Sequence, residues 1–380
     1  MLKSKADALG IIMPNSYDGM VAELVKERLM ASIPFAGNYR VIDFLLSGMV
    51  NGGIDHIFLV VKQNYHSLMM HIGSGREWTR TGKSSGIQLV PPFSNKGAKL
   101  YTGRVEAIYC MLPYLREMRE KYVVVSDANL VVNFDFQDLI ARHIESGADV
   151  TVVYRKTLIP RDFKSLAVDD KNLYYTWEVD GDRVTGMRIN SKEDGIQNFS
   201  MNIYVLEKEM LIRQINEAQL NGSVYYERDV LSKCLDKLDV RAYCYDGYVA
   251  QIGSMRSYFE ENMRLLEEQN ERALFAPGDI YSKTCDEHPT RYLCDARAKR
   301  LIAADGGVIE GEVENSILFC GVKIGKGAKV KNCILMNDTV VGEGARLEYV
   351  VADKKVVVSA GTELKGTDTF PVYLEKRKEL

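Results

Sequence analysis

Glycine-containing segments that recur at a fixed interval constrain the fold of this 380-residue chain more than any other feature. "IGKGA" begins at Ile324, "VGEGA" at Val341 and "VSAGT" at Val358, so the interval is 17 residues twice. This period is close to three hexapeptides per turn of a solenoid, in which each coil buries its apolar positions against the next coil. We therefore predict a short parallel β-helix over residues 301–380, with about four or five coils. An ordinary β-rich appendage is the alternative.

Strand-like and helix-like segments alternate through the first 250 residues or so. Strand patterns occupy Leu9–Met13, 56–61, 121–126, 148–154 and 200–206, and helical patterns occupy 21–31, 104–121, 135–147 and 256–275. This alternation predicts an α/β domain with a mostly parallel sheet and helices on both faces. In such sheets ligands bind beyond the carboxyl ends of the strands, so the turns after Met13 and Ser126 are the expected places for chemistry.

A polar stretch with Pro277, Gly278 and Pro289 separates the two patterns. It predicts three parts: a first domain over residues 1–276, a linker over 277–300 and the β-helix over 301–380. The length of the chain is enough for two domains with cores of their own.

Charge and cysteine content exclude several function classes. The net charge of −3 and the pI near 6.1 give no general attraction to nucleic acid or to an anionic membrane. No apolar run approaches the ~20 residues of a membrane span, and the start of the chain does not have the pattern of a signal peptide, which predicts a cytoplasmic protein. The seven cysteines form no CxxC pair, so we expect reduced thiols and no zinc site.

Five segments can be compared with known motifs: "IPFAGNYRVIDFLLSGMVNGGI" (33–54), "HSLMMHI" (66–72), "LYTGRVEAIYCML" (100–112), "FSMNIYVL" (199–206) and "IGSMRSYFEENMRLL" (252–266). They resemble, in the same order, PFGGxYRxIDFxLSNxxNSGI, SHSLxxHI, WYxGTADAxxxNL, ASMGIYVF and VGTxxAYWxANxxLL of the glucose-1-phosphate adenylyltransferases, or ADP-glucose pyrophosphorylases. The resemblance covers almost the whole chain. It implies a Rossmann-like nucleotidyltransferase domain followed by a left-handed β-helix.

The phosphate-binding turn of that family departs from its motif in this chain. Counted without gaps, the family's GGxGxR falls on Asn15, Ser16, Tyr17, Asp18, Gly19 and Met20. All three motif glycines are replaced, and Met20 stands for the arginine that would meet the triphosphate. Glycines let backbone N–H groups approach a phosphate, and Asp18 adds negative charge where the polyphosphate should lie. We expect Asn15 and Ser16 to line a vestigial substrate pocket.

Both metal-binding carboxylates of the family are also replaced. A gapless match of "YVVVSDANLVVNFDF" (122–136) to the GDHxYxxDY-like motif puts Asn129 at the first metal position, and "VAQIGS" (249–254) puts Gln251 at the second. A hard cation needs a ligand with negative charge, and an amide, unlike a carboxylate, has none. A two-residue gap would instead make Asp127 the ligand, which is the alternative. No metal site is therefore expected in this chain.

The resemblance also places residues around the sugar and around an effector. Tyr101 and Ser200 match residues near the sugar, and Asp229 in "YYERD" matches the second Asp of DFGKD, whose first Asp is Tyr225 here. Lys192 is the candidate for the family's sugar-phosphate lysine. Arg28 and Arg40 lie near the segments that bind anionic effectors in the family, although solvated helix charges are the alternative.

Together these replacements predict a chain that keeps the fold without the chemistry. Within the family it resembles the GlgD-type, non-catalytic subunit of bacterial glycogen synthesis. That resemblance implies a hetero-oligomer, a tetramer, with a GlgC-type catalytic subunit that carries the magnesium, and a nucleotide, sugar phosphate or phosphorylated effector as ligand. One alternative is a nucleotidyltransferase active on its own. A remote one is a sugar-phosphate-binding or acyl-transfer protein, which the absence of histidine after His288 disfavours.

Overall fold

The computed structural model describes residues 5–79, 86–92, 101–166 and 173–380. The strands of its first part are β1 (Ala8–Met13), β2 (Pro34–Phe35), β3 (Tyr39–Arg40), β4 (His56–Val60), β5 (Gly86–Val90), β6 (Tyr122–Asp127), β7 (Leu130–Val131), β8 (Val150–Leu158), β9 (Tyr175–Asp180), β10 (Arg183–Ile189), β11 (Ile196–Glu207), β12 (Val240–Cys244) and β13 (Ala250–Gln251). Among the described residues, nine of them form one sheet in the order β5-β4-β1-β6-β11-β8-β12-β10-β9. The strands β5, β4, β1 and β6 are parallel to one another, whereas β11 is antiparallel to β6 and β8.

Helices cover both faces of this sheet, as the alternation predicted. They are α1 (Val41–Asn51), α2 (His66–Ile72), α3 (Arg104–Glu117), α4 (Phe136–Ser146), α5 (Arg161–Leu166), α6 (Lys208–Leu220), α7 (Met255–Arg264) and α8 (Glu268–Phe275). Successive residues of β1 point to opposite faces, so Leu9 and Ile11 pack in a core with α3 and α6, while Ala8 and Ile12 pack in a second core with α1 and α4. In such a sheet ligands bind beyond the carboxyl ends of the strands, which include β1 and β6.

Two of the helix predictions are wrong. Segment 21–31 is not an α-helix. Its two ends belong to short 3-10 turns, Asp18–Val21 and Met30–Ser32, and the Asp18 carboxylate accepts a hydrogen bond from the N–H of Met30, which closes the segment into a loop. The 256–275 pattern forms two helices, α7 and α8, which separate near the buried Leu265.

The 17-residue repeat forms the predicted parallel β-helix. Its strands are β14 (Arg291–Tyr292), β15 (Arg297–Ala303), β16 (Val308–Ile309), β17 (Glu312–Leu318), β18 (Lys323–Ile324), β19 (Lys329–Lys331), β20 (Ile334–Leu335), β21 (Val340–Val341), β22 (Arg346–Glu348), β23 (Val350–Ala352), β24 (Val357–Val358), β25 (Glu363–Lys365) and β26 (Val372–Leu374). Ile324, Val341 and Val358 lie in register and are buried in its core. The strand β14 begins inside the stretch 277–300 that the sequence assigned to a linker.

The β-helix packs directly on the first domain. Phe44 and Tyr258 of the first domain share an apolar core with Phe319 and Met336 of the β-helix. A disulfide joins Cys285 in the connecting segment to Cys320 in the β-helix. The expectation that all seven cysteines are reduced is therefore wrong for this pair.

The described residues contain no helix that is both long enough and apolar enough to span a membrane.

Candidate functional site

The turn after β1 is fixed by its own polar side chains. Asp18 accepts a hydrogen bond from the backbone N–H of Met30 at 2.7 Å and another from the Asn15 amide at 2.6 Å. Asn15 in turn accepts one from the backbone N–H of Lys62 at 2.7 Å. Tyr17 has a φ of 63°, in the left-handed region that glycine adopts without strain. The backbone N–H groups of Ser16, Asp18 and Met20 donate to carbonyl oxygens within the turn, so they are not open to a phosphate.

Asp18 also brings negative charge to this turn. Burial raises the pKa of its carboxyl to about 6, although the Asn15 amide and the Met30 N–H lower it. The carboxyl is therefore mostly ionised at pH 7. A polyphosphate placed in the turn would be repelled by it.

Met20, at the arginine position of the family motif, is part of an apolar cluster. The other members of the cluster are Ile159, Phe163, Tyr174 and Phe199. The ring of Tyr17 meets the edge of Phe163 at a centroid distance of 5.8 Å. Gly253 lies against the same cluster, where an added Cβ would come within 2.6 Å of Phe163. The space beside the turn is therefore filled with aromatic and aliphatic groups, and it does not suit an anion.

Asp127 lies at the carboxyl end of β6, in register with Met13 at the end of β1. Its Oδ1 accepts a hydrogen bond from the Ser16 hydroxyl at 2.5 Å, and its Oδ2 accepts one from the Asn202 amide at 2.8 Å. Asn202 has a φ of 52° and lies in the bulge that interrupts the pairing of β11 with β8. The Asn202 amide also donates to the Tyr17 hydroxyl at 2.7 Å, which connects the β6 end to the turn.

Arg104, the first residue of α3, binds two carboxylates at once. Its guanidinium donates to Asp127 through Nη2 and to Glu227 through Nη1. It also lies over the ring of Tyr204, 5.9 Å from the centroid. Burial alone would lower the pKa of Arg104, but the neighbouring charge of Asp127 raises it above its ordinary value. Arg104 is therefore a fixed, permanent cation at this site.

A cavity of about 200 Å³ lies between these groups, and we call it the Asp127 cavity. Its lining comes from the ends of β1, β4 and β6 and from the start of α3, with side chains from later segments. The lining residues are Met13, Asn15, Ser16, Tyr17, Val60, Lys62, Tyr101, Thr102, Gly103, Arg104, Ala107, Asp127, Leu173, Tyr175, Asn202, Tyr225 and Glu227. Its charged side chains are two carboxylates and two cations, so it has no excess of positive charge for a triphosphate.

Four of the predicted pocket residues line this cavity: Asn15, Ser16, Tyr101 and Asp127. The Tyr101 hydroxyl donates to the backbone carbonyl of Val60 at 3.1 Å, so it also completes the local packing.

The other three predicted pocket residues do not line the cavity. Ser200 is buried and donates to the Asn202 side chain at 3.0 Å, one bond away from Asp127. Asp229 accepts from the backbone N–H groups of Val224 and Tyr225, each at 2.9 Å. Burial alone would raise its pKa, but Arg228 and those N–H groups lower it to about 2. Lys192 is exposed on the surface.

The two positions of the lost metal carboxylates lie outside the cavity lining. Asn129 is buried, and its backbone carbonyl oxygen accepts a hydrogen bond from the N–H of Ile252 at 3.0 Å. Its side-chain amide nitrogen has no hydrogen-bond partner among the described residues. Gln251 is in β13, opposite Leu130 of β7. The structure thus brings Asp127, and not Asn129, into the cavity, while the roles of Asn129 and Gln251 remain predictions.

The cavity does not fit a magnesium ion. Both oxygens of Asp127 already accept hydrogen bonds, and Glu227 is bound to Arg104. A hard cation needs carboxylate oxygens that are free to coordinate it, and the adjacent guanidinium repels a second positive charge. Within the described ranges, no group of three or more His, Cys, Asp or Glu side chains is placed to hold a metal.

The two candidate effector arginines are engaged with other parts of the protein. Arg28 is buried and donates to both oxygens of Asp353, each at 2.7 Å. Arg40 donates to the carbonyl oxygen of Ser67 at 2.8 Å, and burial lowers its pKa to about 10. Lys354 lies near both arginines, and burial together with their charges lowers its pKa to about 7. Three cationic side chains therefore lie close together where the two domains meet, and Arg28 is not a solvated helix charge.

Comparison with known proteins agrees with the motif resemblance. Residues 23–268 match the family described as "Nucleotidyl transferase", and residues 290–369 match "GlmU-like, C-terminal hexapeptide". The chain is similar to glycogen biosynthesis protein GlgD of Bacillus subtilis, with 33% identity over 323 residues, which are 85% of this chain and 82% of that protein. The chain belongs to the nucleotidyl transferase family that includes GlgD and the glucose-1-phosphate adenylyltransferases.

Other relatives fall into the same two groups of this nucleotidyl transferase family. GlgD of Geobacillus stearothermophilus is 35% identical over 325 residues, again 85% of this chain and 82% of that protein. The glucose-1-phosphate adenylyltransferase of Thermotoga neapolitana is 29% identical over 331 residues, 85% of this chain and 76% of that enzyme.

Three residues of the site were missed in the sequence although each stands inside a segment compared with a family motif. Arg104 stands where GTADA has its threonine, Asn202 where ASMGIYVF has its glycine, and Glu227 where DFGKD has its glycine. In the structure Arg104 and Asn202 both bind Asp127, and Arg104 also binds Glu227. The sequence signal for this cluster was that three polar residues replace small residues of the family motifs. The three positions are far apart in the sequence, so only the structure shows that they belong to one site.

Proposed function

We propose that this chain is a regulatory subunit of a glucose-1-phosphate adenylyltransferase in glycogen biosynthesis, catalytically weak or silent by itself. The enzyme joins ATP and glucose 1-phosphate to give ADP-glucose and diphosphate. The chain would work in the cytoplasm in a hetero-oligomer, a tetramer, with a GlgC-type catalytic subunit. The membership of the family and the similarity to GlgD supply the biochemical setting.

The observation that carries the proposal is the state of Asp127. The carboxylate in the cavity that is placed to bind a metal is occupied by Arg104, Ser16 and Asn202. Nucleotidyl transfer depends on positioning the phosphates and on neutralising their charge with metal ions and basic side chains. A chain whose carboxylates are neutralised internally has lost that function of the site.

The turn after β1 supports the same conclusion independently. Asp18 contributes a negative charge at a position where the family motif has a glycine, and Met20 is buried among apolar and aromatic side chains where an arginine would meet the triphosphate. A nucleotide could enter only if these groups were displaced. We therefore assign no cofactor to this chain, and we place the magnesium in the catalytic partner.

Regulation then requires that this chain prefers one state of the assembled oligomer. A subunit shifts an equilibrium only through contacts that differ between the two states. The cations between the two domains, Arg28, Arg40 and Lys354, are where we place a phosphorylated effector. Among the described residues, Lys354 has no carboxylate partner like the one that Arg28 has in Asp353, so a bound anion would supply Lys354 with a negative partner.

One observation favours a second candidate, a nucleotidyltransferase active on its own. Asp127 does lie at the end of β6 and lines the cavity, so a rearrangement that released Arg104 would expose a carboxylate. This candidate requires turnover by the isolated chain.

The test is ADP-glucose synthesis with Mg²⁺, measured for this chain alone, for a GlgC-type partner alone and for the two chains co-expressed. We expect no useful turnover from this chain alone and altered rate or effector sensitivity in the mixture. Robust turnover by the isolated chain would refute the proposal. Unchanged kinetics in a mixture that forms a stable complex would also refute it.

A further inference from the structure

The guanidinium of Arg104 lies where a cation is stable only if it is paired. Arg104 is the first residue of α3, and the helix dipole disfavours positive charge at that end. Its side chain is only 12% exposed. The position is therefore maintained by the two carboxylates that Arg104 binds.

Those carboxylates come from distant parts of the chain and share this one guanidinium. Asp127 ends β6, and Glu227 begins a π-helical turn, Glu227–Leu231. Both are almost fully buried, at 1% and 2% exposure. Two buried carboxylates that face the same space without a cation are strongly disfavoured by desolvation and by mutual repulsion.

The oxygens beside the guanidinium are of the kind that bind hard cations. They are the carboxylate oxygens of Asp127 and Glu227 and the Ser16 hydroxyl, which contacts Oδ1 of Asp127. Carboxylate and hydroxyl oxygens suit Mg²⁺ and Mn²⁺, whereas zinc favours nitrogen and sulfur. The ligand set thus suits a divalent cation, but the guanidinium already occupies its carboxylates.

We propose that Arg104 is a built-in counter-ion that closes the Asp127 cavity to divalent cations, by binding the carboxylate oxygens that a cation would take. The inference rests on the proposed function, since it gives the physical reason why this subunit lacks its own metal. It is tested without any measurement of turnover. It also predicts that loss of the Arg104 charge converts the cavity into a cation site.

The experiment is a Mn²⁺ titration of the full-length chain, followed by electron paramagnetic resonance of the free ion. The unchanged chain should show no saturable site in the cavity. Arg104→Gln removes the charge and leaves a shorter polar side chain, and it should bind Mn²⁺ at least about tenfold more tightly, since ligand charge sets cation affinity. Arg104→Lys keeps the charge and is the matched control, which should bind no better than the unchanged chain.

A second substitution assigns the binding to the cavity. Adding Asp127→Asn to Arg104→Gln should abolish the new binding. If Arg104→Gln does not fold, the double variant Arg104→Gln, Glu227→Gln replaces it, because it buries one charge fewer, and it should still bind Mn²⁺ more tightly than the unchanged chain.

Three results would overturn the inference. They are saturable Mn²⁺ binding by the unchanged chain that Asp127→Asn abolishes, Arg104→Gln binding no better than the unchanged chain, and Arg104→Lys binding as tightly as Arg104→Gln. Failure of the proposed function would appear separately, as turnover by the isolated unchanged chain.

Discussion

Nη2 of Arg28 donates to both carboxylate oxygens of Asp353, each at 2.7 Å, and this ion pair joins the first domain to the β-helix. Both side chains are buried. Asp353 also accepts hydrogen bonds from the Tyr373 hydroxyl at 2.9 Å and from the Lys354 N–H at 2.6 Å. Because so many donors bind this carboxylate, Asp353 helps to fix the position of the β-helix relative to the first domain.

Removing one partner of this pair should strongly destabilise the chain. Asp353→Asn leaves the Arg28 charge buried without its partner, and breaking a buried pair in this way typically costs about 3–5 kcal/mol. Chemical denaturation of the full chain would measure the change. Lys26 and Glu375 form an exposed pair between the same two parts of the chain, 3.1 Å apart, and Glu375→Gln is the matched control, which should have little effect. Equal effects of the two substitutions would contradict this interpretation of Arg28.

Asp18 should make stability fall with pH over a defined window. Its pKa is raised by burial to about 6 in the folded chain, from an ordinary value of 3.8. The folded chain therefore holds more protons than the unfolded chain between pH 3.8 and 6, so the Asp18 contribution to stability is lost as the pH rises through this window.

Asp18→Asn removes that pH dependence. The free energy of unfolding of the variant, relative to the unchanged chain, should rise by up to about 3 kcal/mol between pH 4 and pH 7. Altered hydrogen bonds of the new amide add a difference that does not depend on pH, so they do not change this slope. Denaturation at several pH values would measure it. Asp236→Asn, at an exposed position, is the control for the substitution itself. A flat difference for Asp18→Asn would disprove the prediction.

The bond between Cys285 and Cys320 predicts a thiol count. Protein kept without reductant should show two fewer titratable thiols when denatured than the same protein after reduction, because Cys285 and Cys320 are bonded to each other. Loss of the bond in Cys285→Ser should lower the free energy of unfolding by about 2–4 kcal/mol. Cys294→Ser, at an exposed free thiol, is the control with little expected effect. Seven titratable thiols before reduction would show that the bond does not form.

Restoring the motif's arginine should not restore catalysis. Met20→Arg would bury an unpaired charge beside Ile159 and Phe163, and we expect it to cost more than about 3 kcal/mol in stability. Met20→Leu keeps the volume and the apolar character, so it should cost less than about 1.5 kcal/mol. Denaturation and an ADP-glucose assay would check both variants. A stable Met20→Arg chain with new activity would show that the turn alone silences the site.

Much of the fold could be predicted because it depends on local periodicity. The repeat at Ile324, Val341 and Val358 defines the register of the coils, and the alternation of apolar segments predicts a sheet covered by helices. The helix predicted over 21–31 does not form, because a hydrogen bond from the N–H of Met30 to the Asp18 carboxylate competes with helix formation there. A helix pattern in sequence carries no information about such a contact.

The site was harder to predict because its contacts join distant segments. Asp127 and Asn15 stand next to strand ends, so their position followed from the general geometry of α/β sheets. Arg104 and Glu227 are separated by 123 residues, and their common contact cannot be seen without the fold. The same is true of Arg28, whose partner Asp353 is in the other domain.

The central claim is that catalysis in the assembled enzyme belongs to the partner chain. The most direct measurement is the rate of ADP-glucose synthesis by a complex of this unchanged chain with a GlgC-type subunit whose metal-binding carboxylates have been replaced. A complex of the same composition with the intact partner is the control. We predict that the first complex assembles and has no turnover above background. Turnover by that complex, abolished by Asp127→Asn in this chain, would contradict the account.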